Sequence, residues 1–148
     1  MSGRDFVLVT LAGQEFGIPV AQVRDVLRRQ KITPVPLSHP AVAGLLNLRG
    51  RIVTAVDLRR RLGLPPRDAA REPAEIVVEQ GGDLYALIVD AVGDVVGVTQ
   101  ESLEPVPAML DPLWRAVAEA VYPAERGLVV LIDIARLLDL APTLRAAS

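Results

Sequence analysis

Two aspartates are the first candidates for chemistry in this chain. Asp57 and Asp133 could work as a carboxylate pair in acid–base catalysis. Each also directly precedes a short amphipathic run whose free backbone N–H groups an aspartate accepts well, and the capping role fits better. His39, the single histidine, lies between Ser38 and Pro40 with no carboxylate close in sequence, so it reads as a turn residue. Metal-ligand spacing is absent, and Gly13, Gly17, Gly44 and Gly50 are too scattered to cradle a phosphate. No cofactor is expected. Positive charge is clustered at Arg28, Arg29 and Lys31 and again at Arg59, Arg60 and Arg61. Such clusters could hold single-stranded nucleic acid, but that mode needs aromatic stacking platforms, which two Phe, two Tyr and one Trp do not supply. Both clusters read as solvated faces. Arg49 differs, because it stands between two apolar strands at a hairpin apex. It is either a solvated turn cation or a planar set of donors offered to a partner's carboxylates or carbonyls.

The elements that position Arg49 are legible around it. Residues 44–63 read as two strands meeting at Arg49-Gly50-Arg51, then a turn of helix that opens at Asp57 and stops at Gly63. Upstream, residues 6–11 are apolar at nearly every position, as in a strand buried on both faces, and residues 15–18 are the hairpin partner after a turn at Ala12-Gly13-Gln14. Pro19 suits a first helical position, and Val20, Val23, Val26 and Leu27 recur at helical spacing, which predicts a short helix with Gln22, Arg24, Asp25 and Arg28 outward. Residues 31–36 are extended, because Pro34 and Pro36 restrict their predecessors, and 38–40 form a turn. Residues 65–73 are polar and proline-rich, a linker or long loop. Residues 76–79 and 84–89 are strands around Gly81-Gly82-Asp83, and 92–98 continue as a strand with Gly93 and Gly97 as bulges. Asp111-Pro112 opens a helix whose face includes Leu113, Trp114, Val117 and Val121 and which Pro123 ends. Residues 128–132 are a last strand, Asp133 caps a short helix over 134–140, and the tail after Pro142 is loose.

Composition sets the class. At 148 residues with 51% hydrophobic and 3% aromatic content, the chain holds one sizeable core, or two small ones, built from Val, Leu, Ile and Ala. That favours β-branched strands. A net charge of −2 gives no global attraction to nucleic acid or anionic lipid. There is no cysteine, no secretory signal and no apolar run near the ~20 residues that would cross a bilayer. The reading is cytoplasmic and soluble, without direct membrane insertion. The halves also echo each other. Phe16, Ile18, Val20, Val23, Asp25 and Val26 match Tyr85, Leu87, Val89, Val92, Asp94 and Val95, and Val53, Val56, Asp57, Leu58, Arg60 and Leu62 match Val129, Ile132, Asp133, Ile134, Arg136 and Leu138. Two similar β-rich modules account for that order.

The central run, from Gly44 through Asn47-Leu48-Arg49-Gly50 to Val56-Asp57-Leu58-Arg59, resembles the CheW-like adaptors of bacterial chemosensory arrays. So do Gln14-Glu15-Phe16-Gly17-Ile18-Pro19, Val23-Arg24-Asp25-Val26, Lys31-Ile32-Thr33-Pro34-Val35-Pro36 and Leu87-Ile88-Val89-Asp90-Ala91-Val92-Gly93-Asp94-Val95. The resemblance covers about residues 5–141. It implies a mainly β fold of two small SH3-like five-stranded β-barrels packed together with short helices. The whole chain, 1–148, would be one CheW-like domain of two interdependent subdomains, about 5–64 with the C-terminal segment, and about 74–141. It implies a non-enzymatic chemotaxis adaptor, recruited to membrane-associated arrays, that couples the cytoplasmic tip of methyl-accepting receptors to the regulatory domain of a CheA-type histidine kinase. Val23, Asp25, Gly44, Arg49, Val92 and Val95 match receptor contacts around the groove between barrels, and Asn47 and Asp57 match structural signature positions. The chain departs from the family pattern at Thr54, usually proline, and at Asp25, commonly glutamate. It also departs over 111–126, which lacks the usual glycine-containing segment and puts the second-half groove wall in question. An adaptor that binds only one of the two partners, in a specialised motility or surface-behaviour pathway, is the alternative, and a nucleic-acid-binding small barrel is the remote one.

Overall fold

The structure, a computed structural model, describes residues 3–68, 70 and 72–140. Positions 69 and 71 of the proline-rich segment, and the tail after Pro142, lie outside the described residues. β1 (Gly3–Leu11) turns through Ala12 and Gly13 into β2 (Gln14–Pro19), and a 3-10 turn, Val20–Gln22, leads to β3 (Val23–Arg28). The central hairpin is β4 (Val42–Leu48) and β5 (Arg51–Asp57), followed by α1 (Leu58–Arg61). Then come β6 (Ala74–Gln80), β7 (Asp83–Val89) and β8 (Ala91–Thr99), a 3-10 turn Gln100–Ser102, α2 (Pro112–Val117), β9 (Ala118–Ala124), β10 (Gly127–Ile132) and α3 (Ile134–Leu137).

The strands form two five-stranded sheets, β8-β1-β2-β10-β9 and β3-β6-β7-β5-β4, each a small SH3-like barrel. Replacing β1–β5 by β6–β10 and the reverse turns one order into the other, so the two sheets are pseudo-symmetric. Each draws strands from both halves of the sequence. In each, two hairpins join through one short parallel pair, β2 with β10 and β7 with β5. The matched positions found in the sequence are therefore equivalent places: β2 and β7, the starts of β3 and β8, and the ends of β5 and β10 with the helices behind them.

Alternation within the inner strands builds three apolar clusters. Leu84, Ala86 and Ile88 of β7 face the inside of their own barrel, while Leu87 and Val89 face a core shared by both sheets. On β1, Phe6 faces its own barrel and Val7, Val9 and Leu11 face the shared core. A strand with two buried faces has no polar side, which is why residues 6–11 read as a continuous apolar run.

Two expected helices are corrected. Residues 20–28 form only the 3-10 turn and then β3, whose apolar residues share no single face: Val23 packs on the shared core, Leu27 on the inside of the second barrel, and Val26 is exposed. β6 offers an edge that pairs from Val23 with Val78 to Arg28 with Ala74. The helix capped by Asp111 and opened by Pro112 stops at Val117, and Ala118, Val121 and Tyr122 join β9 on β10. Pro123 does not end a helix but sits in this edge strand, where its missing N–H removes no inner ladder bond. The bulge of β8 lies at Gly93 and Asp94, where Val7 pairs with Val95 and Val9 with Val92, whereas Gly97 pairs regularly with Asp5. The turns around residue 39 fall at 36–37 and 40–41, and His39 Nδ1 accepts the Ala41 N–H at 3.0 Å.

Candidate partner-binding surface

One edge of each sheet is partly covered by its own connection. Thr33 bridges Leu45 on β4, and Glu104 bridges Val121 on β9. Among the described residues the other two edges, β3 and β8, carry no such bridge, and four of the predicted contacts lie on them. Val23 and Asp25 are on β3, and Val92 and Val95 are on β8. Val23 and Val92 are half-buried against the shared core, whereas Val26 and Val95 are 49% and 57% exposed. Between the strands runs a groove of about 480 Å³ lined by Val26, Leu27 and Arg28 of β3 and Val92 of β8, together with Glu72, Pro73 and Ala74. Open edge strands with exposed valines offer a partner both backbone hydrogen bonds and apolar area.

Arg49 projects beside β3. Its turn has positive φ at both central residues, 53° at Arg49 and 84° at Gly50, as a two-residue hairpin of the primed type requires. Asn47 Oδ1 accepts the Gly50 N–H at 2.9 Å and closes the turn. Arg49 Nη2 lies 3.1 Å from Asp25 Oδ2, with the Arg49 side chain 76% exposed and that of Asp25 27%. The fold thus joins two predicted site residues that lie far apart in the chain. Gly44 is buried instead. Its φ is +149°, and a Cβ there would stand 2.2 Å from the Thr33 carbonyl oxygen, so this glycine lets the Thr33 strand reach Leu45. Asp57 and Asp133 are each committed to their own helix, accepting the Arg59 N–H at 3.0 Å and the Arg136 N–H at 3.1 Å.

The arginine run 59–61 is not a solvated face. Arg59 is buried and grips Asp90 side-on, Nε to Oδ1 at 2.9 Å and Nη2 to Oδ2 at 2.5 Å, while Nη1 donates to the Pro65 carbonyl at 2.9 Å. Arg67 Nε adds a bond to Asp90 Oδ1 at 2.9 Å, and the Ala12 N–H adds one to Oδ2 at 2.8 Å. Burial alone would raise the Asp90 pKa, but the bonds from Arg59, Ala12 and Arg67 outweigh it and hold the carboxyl below the usual range. The Asp90 bond in turn raises the Arg59 pKa. Arg61 donates to the Leu137 and Arg136 carbonyls at the end of α3, and its burial lowers its pKa. Of the three, only Arg60 is exposed. Sequence reasoning missed this cluster, although a signal was present: Asp90 stands inside an apolar run, and a buried charge demands a partner. A further buried acid, Glu75, accepts the Gln30 N–H at 2.9 Å, and burial raises its pKa.

Among the described residues no group of three or more metal-ligating side chains is placed to hold an ion, and no helix is long and apolar enough to cross a membrane. Two barrels around one core, with open edge strands lining a groove and an arginine-tipped hairpin beside it, define a protein-binding adaptor module. A family model described as the CheW-like domain matches residues 5–141, and the chain belongs to that family. It is 30% identical over 136 residues to a probable chemotaxis protein CheW from Rhizobium etli, covering 92% of this chain and 88% of the relative. It is also 30% identical over 138 residues to the chemotaxis protein CheW of Bacillus subtilis, covering 93% and 88%. The crystal structure of the scaffolding protein TtCheW from Thermoanaerobacter tengcongensis matches with a TM-score of 0.83 at 28% identity, covering 93% of this chain and 94% of that one. The unusual stretch 111–126 belongs to α2 and β9, at the opposite edge of the sheet from β8. Its Ala120 shares an apolar cluster with Val98 of β8, but none of its residues lines the groove.

Proposed function

We propose that this chain is a chemotaxis coupling adaptor of the CheW type. It joins the cytoplasmic tip of a methyl-accepting receptor to the regulatory domain of a CheA-type kinase, and is brought to membrane-associated arrays by those partners. The observation that carries the site assignment is the Arg49–Asp25 pair beside the open β3 edge. An ion pair this exposed contributes at most about 1 kcal/mol to stability, so its geometry is better explained by presentation of a guanidinium to a partner. Asn47 and Asp57 act behind it, closing the hairpin turn and starting α1. None of residues 111–126 lines the groove, which favours the two-partner reading over an adaptor for one partner.

Calorimetric titration with a receptor tip and with the kinase regulatory domain tests this. Wild-type protein is expected to bind both, and binding to neither rejects the function. Arg49→Asp should weaken receptor-tip binding at least about tenfold, while the melting temperature moves by no more than a few degrees, because aspartate tolerates the left-handed turn. Unchanged binding would remove Arg49 from the site.

A further inference from the structure

The chain passes between the two sheets directly from strand to strand at two pseudo-equivalent places. The first, from β2 to β3, takes a full 3-10 turn, and Gln22 there reaches the Glu79 carbonyl at 3.1 Å and the Gln80 side chain at 2.8 Å. The second, from β7 to β8, is Asp90 alone. Both groove walls begin at these crossings, Val23 and Asp25 just after the first, Val92 and Val95 just after the second. The crossings therefore set how the walls face each other.

They are not held alike. The first is backed by the Gln22 amide and by the exposed Arg24, whose Nη1 donates to the Ala21 and Val23 carbonyls at 3.1 and 3.3 Å, with no buried charge. At the second, the Asp90 N–H donates to the Thr10 carbonyl of β1 at 3.0 Å. Its carboxylate, 1% exposed, takes the Arg59 fork from α1, Arg67 from the proline-rich segment and the Ala12 N–H from the β1–β2 turn. One residue thus ties together both sheets, a helix and the intervening segment. Charge-assisted, side-on bonds of this kind fix direction as well as distance.

We infer that Asp90 is a positioning residue for the adaptor's groove: clamped by Arg59 and Arg67, it fixes the β8 wall relative to the β3 wall. Its consequence for receptor binding rests on the function proposed above. Opening the clamp loosens the start of β8 on β1 and lets it shift while the β3–β7 sheet stays paired, so that Val92 and Val95 no longer meet a partner in register with Val23 and Asp25.

Hydrogen exchange and receptor-tip titration on the full chain test this with three variants. Asp90→Asn keeps the shape but removes the charge, and Arg67→Gln removes one clamp arm as a milder change. Trp114→Phe, on α2 away from the groove, serves as the control for lost stability. Exchange of the β8 amides is expected to rise at least fivefold in Asp90→Asn, and more than twofold in Arg67→Gln, while β6 and β7 stay protected. Receptor affinity should fall in the same order, and Trp114→Phe should change neither. The inference is overturned if β8 exchange is unchanged, if the control matches the clamp variants, or if Asp90→Asn unfolds the whole protein while Arg67→Gln has no effect. Should wild type fail to bind receptor tips, the proposed function fails, but the β8 exchange still decides the role of Asp90.

Discussion

Arg49 occupies a backbone conformation that suits asparagine or glycine. In a two-residue turn of this type the preferred pair is Asn-Gly, and an arginine with φ of 53° gives up about 1 kcal/mol of stability for its place. Strain kept at an exposed position beside an open edge points to use of the side chain. Arg49→Asn should accordingly raise stability by about 0.5–1 kcal/mol, read as a higher midpoint in urea, while it weakens partner binding. A variant both less stable and weaker in binding would mean that the arginine supports the fold instead. The sequence could place Arg49 at a hairpin apex because strand patterns flank it on both sides. It could not pair it with Asp25, since β3 reaches the hairpin only through sheet packing.

At the level of elements, short helices here act as struts between barrels. Trp114 of α2 stacks edge-on against Phe16 of β2, centroids 5.2 Å apart, and its Nε1 donates to the Leu62 carbonyl behind α1 at 3.0 Å. Trp114→Phe keeps the apolar contact but leaves that carbonyl without its donor, so a loss of about 1 kcal/mol is expected in thermal melts. A loss of several kcal/mol would show that indole packing, not the hydrogen bond, holds the strut. Which elements were legible follows the same physics. β1, β2 and the central hairpin announce themselves, since buried alternation and turn glycines are local signals. β3 and β9 do not, because only the waiting edges of β6 and β10 decide between helix and strand. The Asp90 clamp was hidden for a related reason. Arginines after a helix cap look solvated until the fold brings a buried carboxylate against one of them.

For the whole molecule, the two buried acids pull stability in opposite directions with pH. Asp90, lowered from 3.8, lends stability above that value and gives it up as pH falls toward its folded-state pKa. Glu75 is raised from 4.5, so above that value the folded chain holds the extra proton and stability declines as pH rises. Glu75→Gln mimics the protonated acid, and its melting temperature relative to wild type should therefore be higher at pH 7 than at pH 4. An equal difference at both values would mean that Glu75 titrates alike in the folded and unfolded chain. The interleaving of the sheets reaches further, to the order in which the protein can be made. β1 and β2 leave the ribosome first, yet their neighbours β8 and β10 leave near the end. The opening hairpin must wait, apolar on both faces, until almost the whole chain has been synthesised, so the barrel it belongs to cannot be completed before β10 emerges, whereas the other has all five of its strands once β7 has been made.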